Sequence, residues 1–246
     1  MTKIVESAKA LMPKLVEIRR DFHEYPETSQ NEVRTSEKVA AYLKKMGCDQ
    51  VIENVGGHGV IGIIKGKKDG KTVALRADMD ALQIQEMNDV EYKSRNDGVM
   101  HACGHDNHMT GLLGAAELLC QNRDEICGTV KLVFQPAEEF SPIGGSRGML
   151  ESGYLDDIGA IFGLHVWPDL PHGTVGVKAG PLMAATDHFT ITIHGKTAHG
   201  AKPDQGIDAV VLGAQFVMAA QSIVSRKVNP LDNAVVTFGI FNAGTR

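Results

Sequence analysis

The sequence predicts an α/β fold: a domain on a mixed, mostly parallel sheet, followed by part of a smaller α+β unit. Three observations carry this prediction. Short apolar runs alternate with stretches of helical periodicity as far as Gly180. Those runs are apolar throughout, as in strands covered on both faces. Beyond Gly180-Pro181 the texture changes to a strict period of two, the mark of a sheet with one wet side. The domains are therefore expected over 1–180 and 181–246.

In chain order, Ile4, Val5, Ala8, Leu11, Met12, Leu15, Val16, Ile18 and Phe22 recur at helical spacing, and Pro13 should kink that helix or mark its start. A second amphipathic helix is predicted over 32–46, ended by Gly47. "GVIGIIKG" and "KTVALRAD" read as strands, and "GVIGIIKGKKDGK" as a hairpin, since it lacks the G-x-G-x-x-G order of a nucleotide loop. "NHMTGLLGAAELLCQ" reads as a helix, "GTVKLVFQPAEE" and "GAIFGLHVWP" as strands. Past the boundary, "ATDHFTITIHG" sets Phe189, Ile191 and Ile193 on one face and Thr190, Thr192 and His194 on the other. A helix, "GIDAVVLGAQFVMAAQSIVSR", and a strand, "NAVVTFGIF", follow. Strand, helix and strand make a poor domain alone. The chain is thus expected to be C-terminally incomplete, with Val235, Val236 and Phe238 on an unpaired apolar edge.

Composition narrows the function classes. The 246 residues are 43% hydrophobic and 22% charged, which is ordinary for a globular chain that buries a sizeable core. A net charge of -5 leaves no basic footprint for nucleic acid. No uninterrupted apolar run approaches the roughly 18 residues of a membrane span, and the N-terminus lacks the apolar core of a secretory signal. Four cysteines, Cys48, Cys103, Cys120 and Cys127, suggest reduced thiols in the cytoplasm.

Four places carry chemistry. "MHACGHDNH" crowds three histidines, a cysteine and an aspartate into residues 100–108, and Cys103 and His105 stand at a common metal-ligand spacing. "FQPAEE" ends an apolar strand with Glu138 and Glu139, where open α/β sheets place ligands. Two carboxylates there suit one metal ligand plus one general base; alone, they could equally be a solvated charge pair. "IFGLHVWP" sends His165 to another strand end, and "LRADMDAL" does the same with Asp78 and Asp80, which by themselves read as a helix cap or turn. Together, Cys103, His105, Glu139 and His165 offer a thiolate, two imidazoles and a carboxylate. That mixture suits Zn, Mn, Co or Ni, not Mg or Ca.

With "HGKTAHGAKP" added, these motifs in this order resemble the aminoacylase and glutamate-carboxypeptidase-like metallohydrolases, in the branch of hippurate hydrolase, N-acetyl-diaminopimelate deacetylase and indoleacetyl-amino-acid hydrolase. The resemblance covers the whole chain. It implies a metallopeptidase-like catalytic domain holding two divalent metal ions, and an inserted lid domain through which a homodimer forms. It implies that Cys103, His105, Glu139 and His165 are metal ligands and that Glu138 is the general base. His199 resembles a lid histidine that contacts the substrate carbonyl in the partner subunit's site. Asp80, in Asp78-Met79-Asp80, matches a carboxylate that holds a ligand imidazole. The family's fifth ligand, a histidine near the C-terminus, has no counterpart before Arg246.

The reaction so implied is hydrolysis of the amide of a small N-acyl amino acid, with Glu138 moving the protons. A dipeptidase or carboxypeptidase of the same family is the alternative substrate reading, and an inactive fragment is another outcome. Two rivals lie outside the class. A cysteine hydrolase would use Cys103 as nucleophile with His101, His105 or His108 as base, leaving Glu138, Glu139 and His165 without a role. A binding module with a structural metal would close four ligands, whereas here a carboxylate is left over.

Overall fold

The computed structural model describes residues 2–140 and 143–244. The chain divides into two compact units, Met1–Thr186 and Asp187–Arg246.

The first unit opens with α1 (Thr2–Glu24) and α2 (Val33–Met46). α1 runs through Pro13 rather than starting there, and Ile18 and Phe22 on its inner stripe are buried. α2 stops at Gly47, whose φ of 85° is the left-handed conformation that ends helices and that glycine adopts without strain. Glu32 stands at the start of α2 but does not cap it. Glu27 does so instead, accepting from the backbone N–H groups of Arg34 (3.1 Å) and Thr35 (2.8 Å). The Glu32 carboxylate is thereby released for a contact described below.

Next come β1 (Gln50–Val55), β2 (Gly59–Lys65), β3 (Lys68–Asp78), α3 (His105–Gln121), β4 (Cys127–Gln135), α4 (Gly145–Glu151) and β5 (Ile158–Gly163). They form one five-stranded sheet in the order β1-β2-β4-β3-β5. β3 pairs in parallel with both β4 and β5, while β2 is antiparallel to β1 and to β4. The hairpin expected between β2 and β3 is therefore wrong. β4, more than sixty residues downstream of β2, lies between the two, and β2 forms its hairpin with β1. The local turn signal was real, but a non-local strand took the pairing edge.

Alternation along the central strands feeds both faces. Val60 and Ile64 of β2 and Val130, Leu132 and Phe134 of β4 join Phe22, Leu43, Met109 and Leu113 from α1, α2 and α3 in one core. Ile61, Ile63 and Val133 turn the other way, onto Met149 of α4 and Leu155. Burying one such side chain contributes roughly 1.5–3 kcal/mol. β5 is the exposed edge: Phe162 keeps 61% of its surface accessible.

In the second unit, α5 (Ala209–Ala220) is capped by Asp208, whose carboxylate accepts from the N–H groups of Val210 (2.9 Å) and Val211 (3.0 Å). α6 (Ser222–Lys227) continues after Gln221. Taken as one run, Ala209–Lys227 is long and apolar enough to cross a membrane by length and composition, although Gln215, Gln221, Ser222 and Ser225 interrupt it. The strands expected at 185–195 and 233–241 are not realised as ladders. Phe189 and Phe216 each close edge-to-face on Phe238 at 5.8 Å, and a backbone bridge joins Lys196 to Ile207. Period-two alternation sets which side chains share a face; a strand also needs a hydrogen-bonded neighbour, and these segments have none among the described residues.

Candidate metal centre

Because β3, β4 and β5 are parallel, their carboxyl ends lie along one edge of the sheet. The segments leaving that edge carry Asp78 and Asp80, Glu138 and Glu139, and His165. His105 joins them as the first residue of α3, not from the preceding loop. Gly104 makes that entry possible. Its φ is 86°, and a Cβ there would stand 2.4 Å from a methyl carbon of Val166.

His105 is the common member of the cluster, and it is buried. Its Nδ1 lies 2.7 Å from the backbone carbonyl of Asp80, which fixes the proton on Nδ1 and leaves Nε2 with a free lone pair. That Nε2 lies 3.8 Å from Glu139 Oε1, 3.9 Å from Glu138 Oε2 and 3.6 Å from Asp78 Oδ2. Cys103 Sγ and His165 Nε2 face each other at 3.4 Å, while His165 Nδ1 donates to the Val166 carbonyl at 2.5 Å. The donor atoms of Cys103, His105 and His165 lie within 4.8 Å of one another, as do those of His105, Glu138 and Glu139.

A third cluster of that kind, Asp78, His105 and His108, is differently occupied. His108 Nδ1 donates to Asp78 Oδ1 at 2.6 Å, and its Nε2 accepts the backbone N–H of Val166 at 2.9 Å. Both nitrogens are spent on tying the end of β3 to the segment after β5. Asp78 also pairs with Arg76 at 2.6 Å. Burial works against its charge, but the His108 hydrogen bond, with His105 and Arg76 nearby, holds its carboxyl well below the usual range.

Asp80 acts on the site by more than one route. Its backbone oxygen, rather than its carboxylate, makes the short contact to His105; Oδ1 stands 3.4 Å away. Oδ2 accepts from the Ser29 hydroxyl at 2.6 Å and from the backbone N–H of Glu139 at 2.9 Å. Glu32 holds the neighbouring peptide: its carboxylate accepts the N–H of Ala137 at 2.6 Å. Ser29, Glu32 and His108 were not singled out from the sequence as parts of this arrangement. Each works through a partner distant in the chain, so no local spacing announces it.

Burial, then the charge of Glu139, raises the Glu138 carboxyl above its ordinary value, as suits a group that must gain and lose a proton. Burial and the nearby carboxylate of Glu139 push the Cys103 thiol up to about 12, so without a cation it is a poor nucleophile. The donor set fits a divalent metal. His105 Nε2 and Glu139 Oε1 are buried without a hydrogen-bond partner among the described residues, which is costly unless a cation takes them. Cys103, His105, Glu139 and His165 are the side chains that would hold it.

His199 belongs to the second unit, where it is exposed and its Nδ1 accepts the N–H of Ala201 at 3.1 Å.

The chain is similar to known metal-binding and amide-cleaving proteins along most of its length. An N-acetylcysteine deacetylase of Bacillus subtilis is 46% identical over 96% of the chain and 62% of its own length. Thermostable carboxypeptidase 2 of Saccharolobus solfataricus is 43% identical over 99% of the chain and 62% of its own length. The crystal structure of the YXEP protein of Bacillus subtilis, described as a dinuclear metal-binding peptidase, superposes with a TM-score of 0.67 at 48% identity, covering 71% of this chain and 48% of that one. The chain thus spans about three fifths of the length of these two curated relatives. The model of peptidase family M20/M25/M40 matches residues 74–244, from β3 through the second unit, and the chain belongs to that family.

Proposed function

We propose that this chain carries the metal site of an amidohydrolase that cleaves N-acyl amino acids to a carboxylic acid and an amino acid. The observation that carries the reading is the pair His105 Nε2 and Glu139 Oε1, buried without a hydrogen-bond partner among the described residues, with Glu138 beside them. Cys103, His105, Glu139 and His165 hold two divalent ions of the Zn, Mn, Co or Ni type, a donor set matched to borderline metals. Such ions acidify water and polarise an amide carbonyl. Glu138 takes a proton from the attacking water and returns it to the leaving nitrogen, so one carboxyl serves both steps. Asp80 keeps His105 in the tautomer that points Nε2 inward. His199 donates from Nε2 to the developing oxyanion, in the site of a partner subunit of a homodimer; acceptance at Nδ1 sets that tautomer.

Release of amino acid is measured from N-benzoylglycine, N-acetylcysteine and a set of dipeptides, after chelation and after return of Mn or Zn. Hydrolysis of the N-acyl substrates that chelation abolishes and metal restores is expected. Turnover confined to dipeptides selects the carboxypeptidase reading instead. Turnover indifferent to chelation overturns both.

A further inference from the structure

Near the end of α3, Cys120 meets Cys48, the second residue past the end of α2. Their Sγ atoms lie 4.0 Å apart, although the two residues are separated by 72 positions in the chain. Both are half-buried and pack against the core that Leu43 of α2 and Leu113 of α3 share. The other two cysteines are placed differently: Cys103 faces His165 in the metal centre, and Cys127 is exposed at the start of β4.

Contacts that do not involve the sulfurs hold this pair face to face. The Cys48 N–H donates to the Leu43 carbonyl at 3.2 Å, within the turn that ends α2 at Gly47. Arg123 donates to the Gly47 carbonyl at 2.6 Å and to the Asp49 carboxylate at 2.7 Å. The segment after α3 is thus fastened to both neighbours of Cys48. The two thiols are not equivalent, however. Cys120 lines a cavity of about 300 Å³ with Lys14, Lys45 and Glu117, and Cys48 does not. A small reagent therefore reaches Cys120 first, and the two lysines against one glutamate favour an anionic one. Burial, then the neighbouring Cys120, pushes the Cys48 thiol up to about 12, which suits it poorly to attack first.

We infer that Cys48 and Cys120 are a reversible redox pair, closed to a disulfide by a small anionic disulfide of the glutathione type, and that the bond clamps the end of α2 to the end of α3. The Cys120 thiolate attacks one sulfur of the small disulfide, forming a mixed disulfide and releasing the other half as a thiolate. Cys48 then gives its proton to water and attacks Cys120 Sγ, and the second half leaves. Two protein thiols are oxidised and one small disulfide is reduced to two thiols. The bond needs the sulfurs at about 2.0 Å, a gap that rotation of both side chains closes. Neither cysteine is among the proposed metal ligands, so the clamp stands apart from the proposed reaction.

The test equilibrates the folded, Mn-loaded chain with oxidised glutathione, alkylates the remaining thiols and maps the peptides by mass. The peptides of Cys48 and Cys120 should be recovered linked to each other and to no other cysteine. Closing so long a loop should raise Tm by roughly 5–15 °C over the reduced protein, and dithiothreitol should reverse the rise. Cys48→Ala should strand one glutathione on Cys120 with no gain in Tm. Cys120→Ala should acquire much less on Cys48 over the same time. Recovery of Cys48 and Cys120 on separate peptides from the folded parent overturns the inference, and that result needs no variant. A link that leaves Tm unchanged or lower, or a rise in Tm that survives in both alanine variants, overturns the clamp.

Discussion

The carboxylate of Glu32 accepts the backbone N–H of Ala137 at 2.6 Å, and Ala137 stands at a φ of 50°, next to Glu138 and Glu139. A residue with a Cβ rarely adopts that conformation, which costs on the order of 1–2 kcal/mol. The turn that presents both carboxylates is thus held from the start of α2, far away in the chain. Glu32→Ala should leave the Ala137 N–H buried and unpaired and destabilise the protein by about 1–3 kcal/mol in urea unfolding. The turnover number should fall with it, while Glu32→Gln, which keeps an acceptor oxygen, should do less on both counts. Glycine tolerates this φ, so Ala137→Gly should recover part of the loss in the Glu32→Ala background. Unchanged unfolding of Glu32→Ala would show that the turn is held by other contacts.

Glu138→Gln should bind metal as the parent does, because its carboxylate is not among the four proposed ligands, yet lose nearly all hydrolysis. General acid–base groups typically contribute 10²–10⁴-fold, and a loss in that range is expected. Metal content by elemental analysis, read beside the rate, separates the two roles. A variant that turns over within a few-fold of the parent removes Glu138 from the mechanism.

Cys103 should ligate metal and not attack substrate. With its thiol pushed up to about 12, only about one part in 10⁴ or less is thiolate near neutral pH. In metal-free protein, iodoacetamide should therefore modify the exposed Cys127 well before Cys103, as peptide mapping would reveal. Cys103→Ala should weaken metal binding. Preferential alkylation of Cys103, or an acyl group trapped on it, favours the cysteine-hydrolase mechanism.

How far the sequence led depends on where each signal lay. Cys103, His105, Glu139 and His165 were picked by residue type and by position at strand ends or in the loop before a helix. Three parallel strands and one helix bring those positions together. The alternation of strand and helix was similarly readable for β2, β3, α3, β4 and β5, because each is a continuous local pattern. Pairing was not local. Nothing between Gly59 and Asp78 announces that β4 will lie between the two strands there. His108 illustrates the same limit in the site. It lies three residues after His105 on α3, an equally plausible ligand by spacing, until Asp78 and the Val166 N–H occupy both its nitrogens. Glu32 read as the start of a helix, and only the fold shows that Glu27 caps α2 while Glu32 reaches the Ala137 peptide.

His199 should act in the site of a neighbouring subunit. Inactive His199→Ala and inactive Glu138→Gln proteins, mixed under conditions that exchange subunits, should regain part of the parent activity, since some hybrid sites would carry both intact residues. Hybrids confirmed by mass yet inactive place His199 in its own subunit's site or outside the mechanism.

His23 gives a prediction about pH and stability. Its ring is buried between two carboxylates, Asp106 at 2.7 Å from Nδ1 and Glu86 at 3.1 Å from Nε2. Burial opposes protonation, but the hydrogen bonds and charge of Asp106 and Glu86 outweigh it and raise the imidazole above its ordinary value. A group whose pKa is higher folded than unfolded binds its proton more tightly in the native state. It therefore stabilises fully below the unfolded pKa, about 6.5, and progressively less as pH climbs through the folded value. Unfolding free energy should accordingly decline from pH 6 towards alkaline pH with a component that His23→Gln removes. Above the folded pKa the parent and variant should differ much less than they do at pH 6, because the imidazole is then neutral in both folded and unfolded chains. Urea titrations of both proteins across pH 5.5–9 measure this, and parallel curves throughout would exclude a charged His23 between these carboxylates.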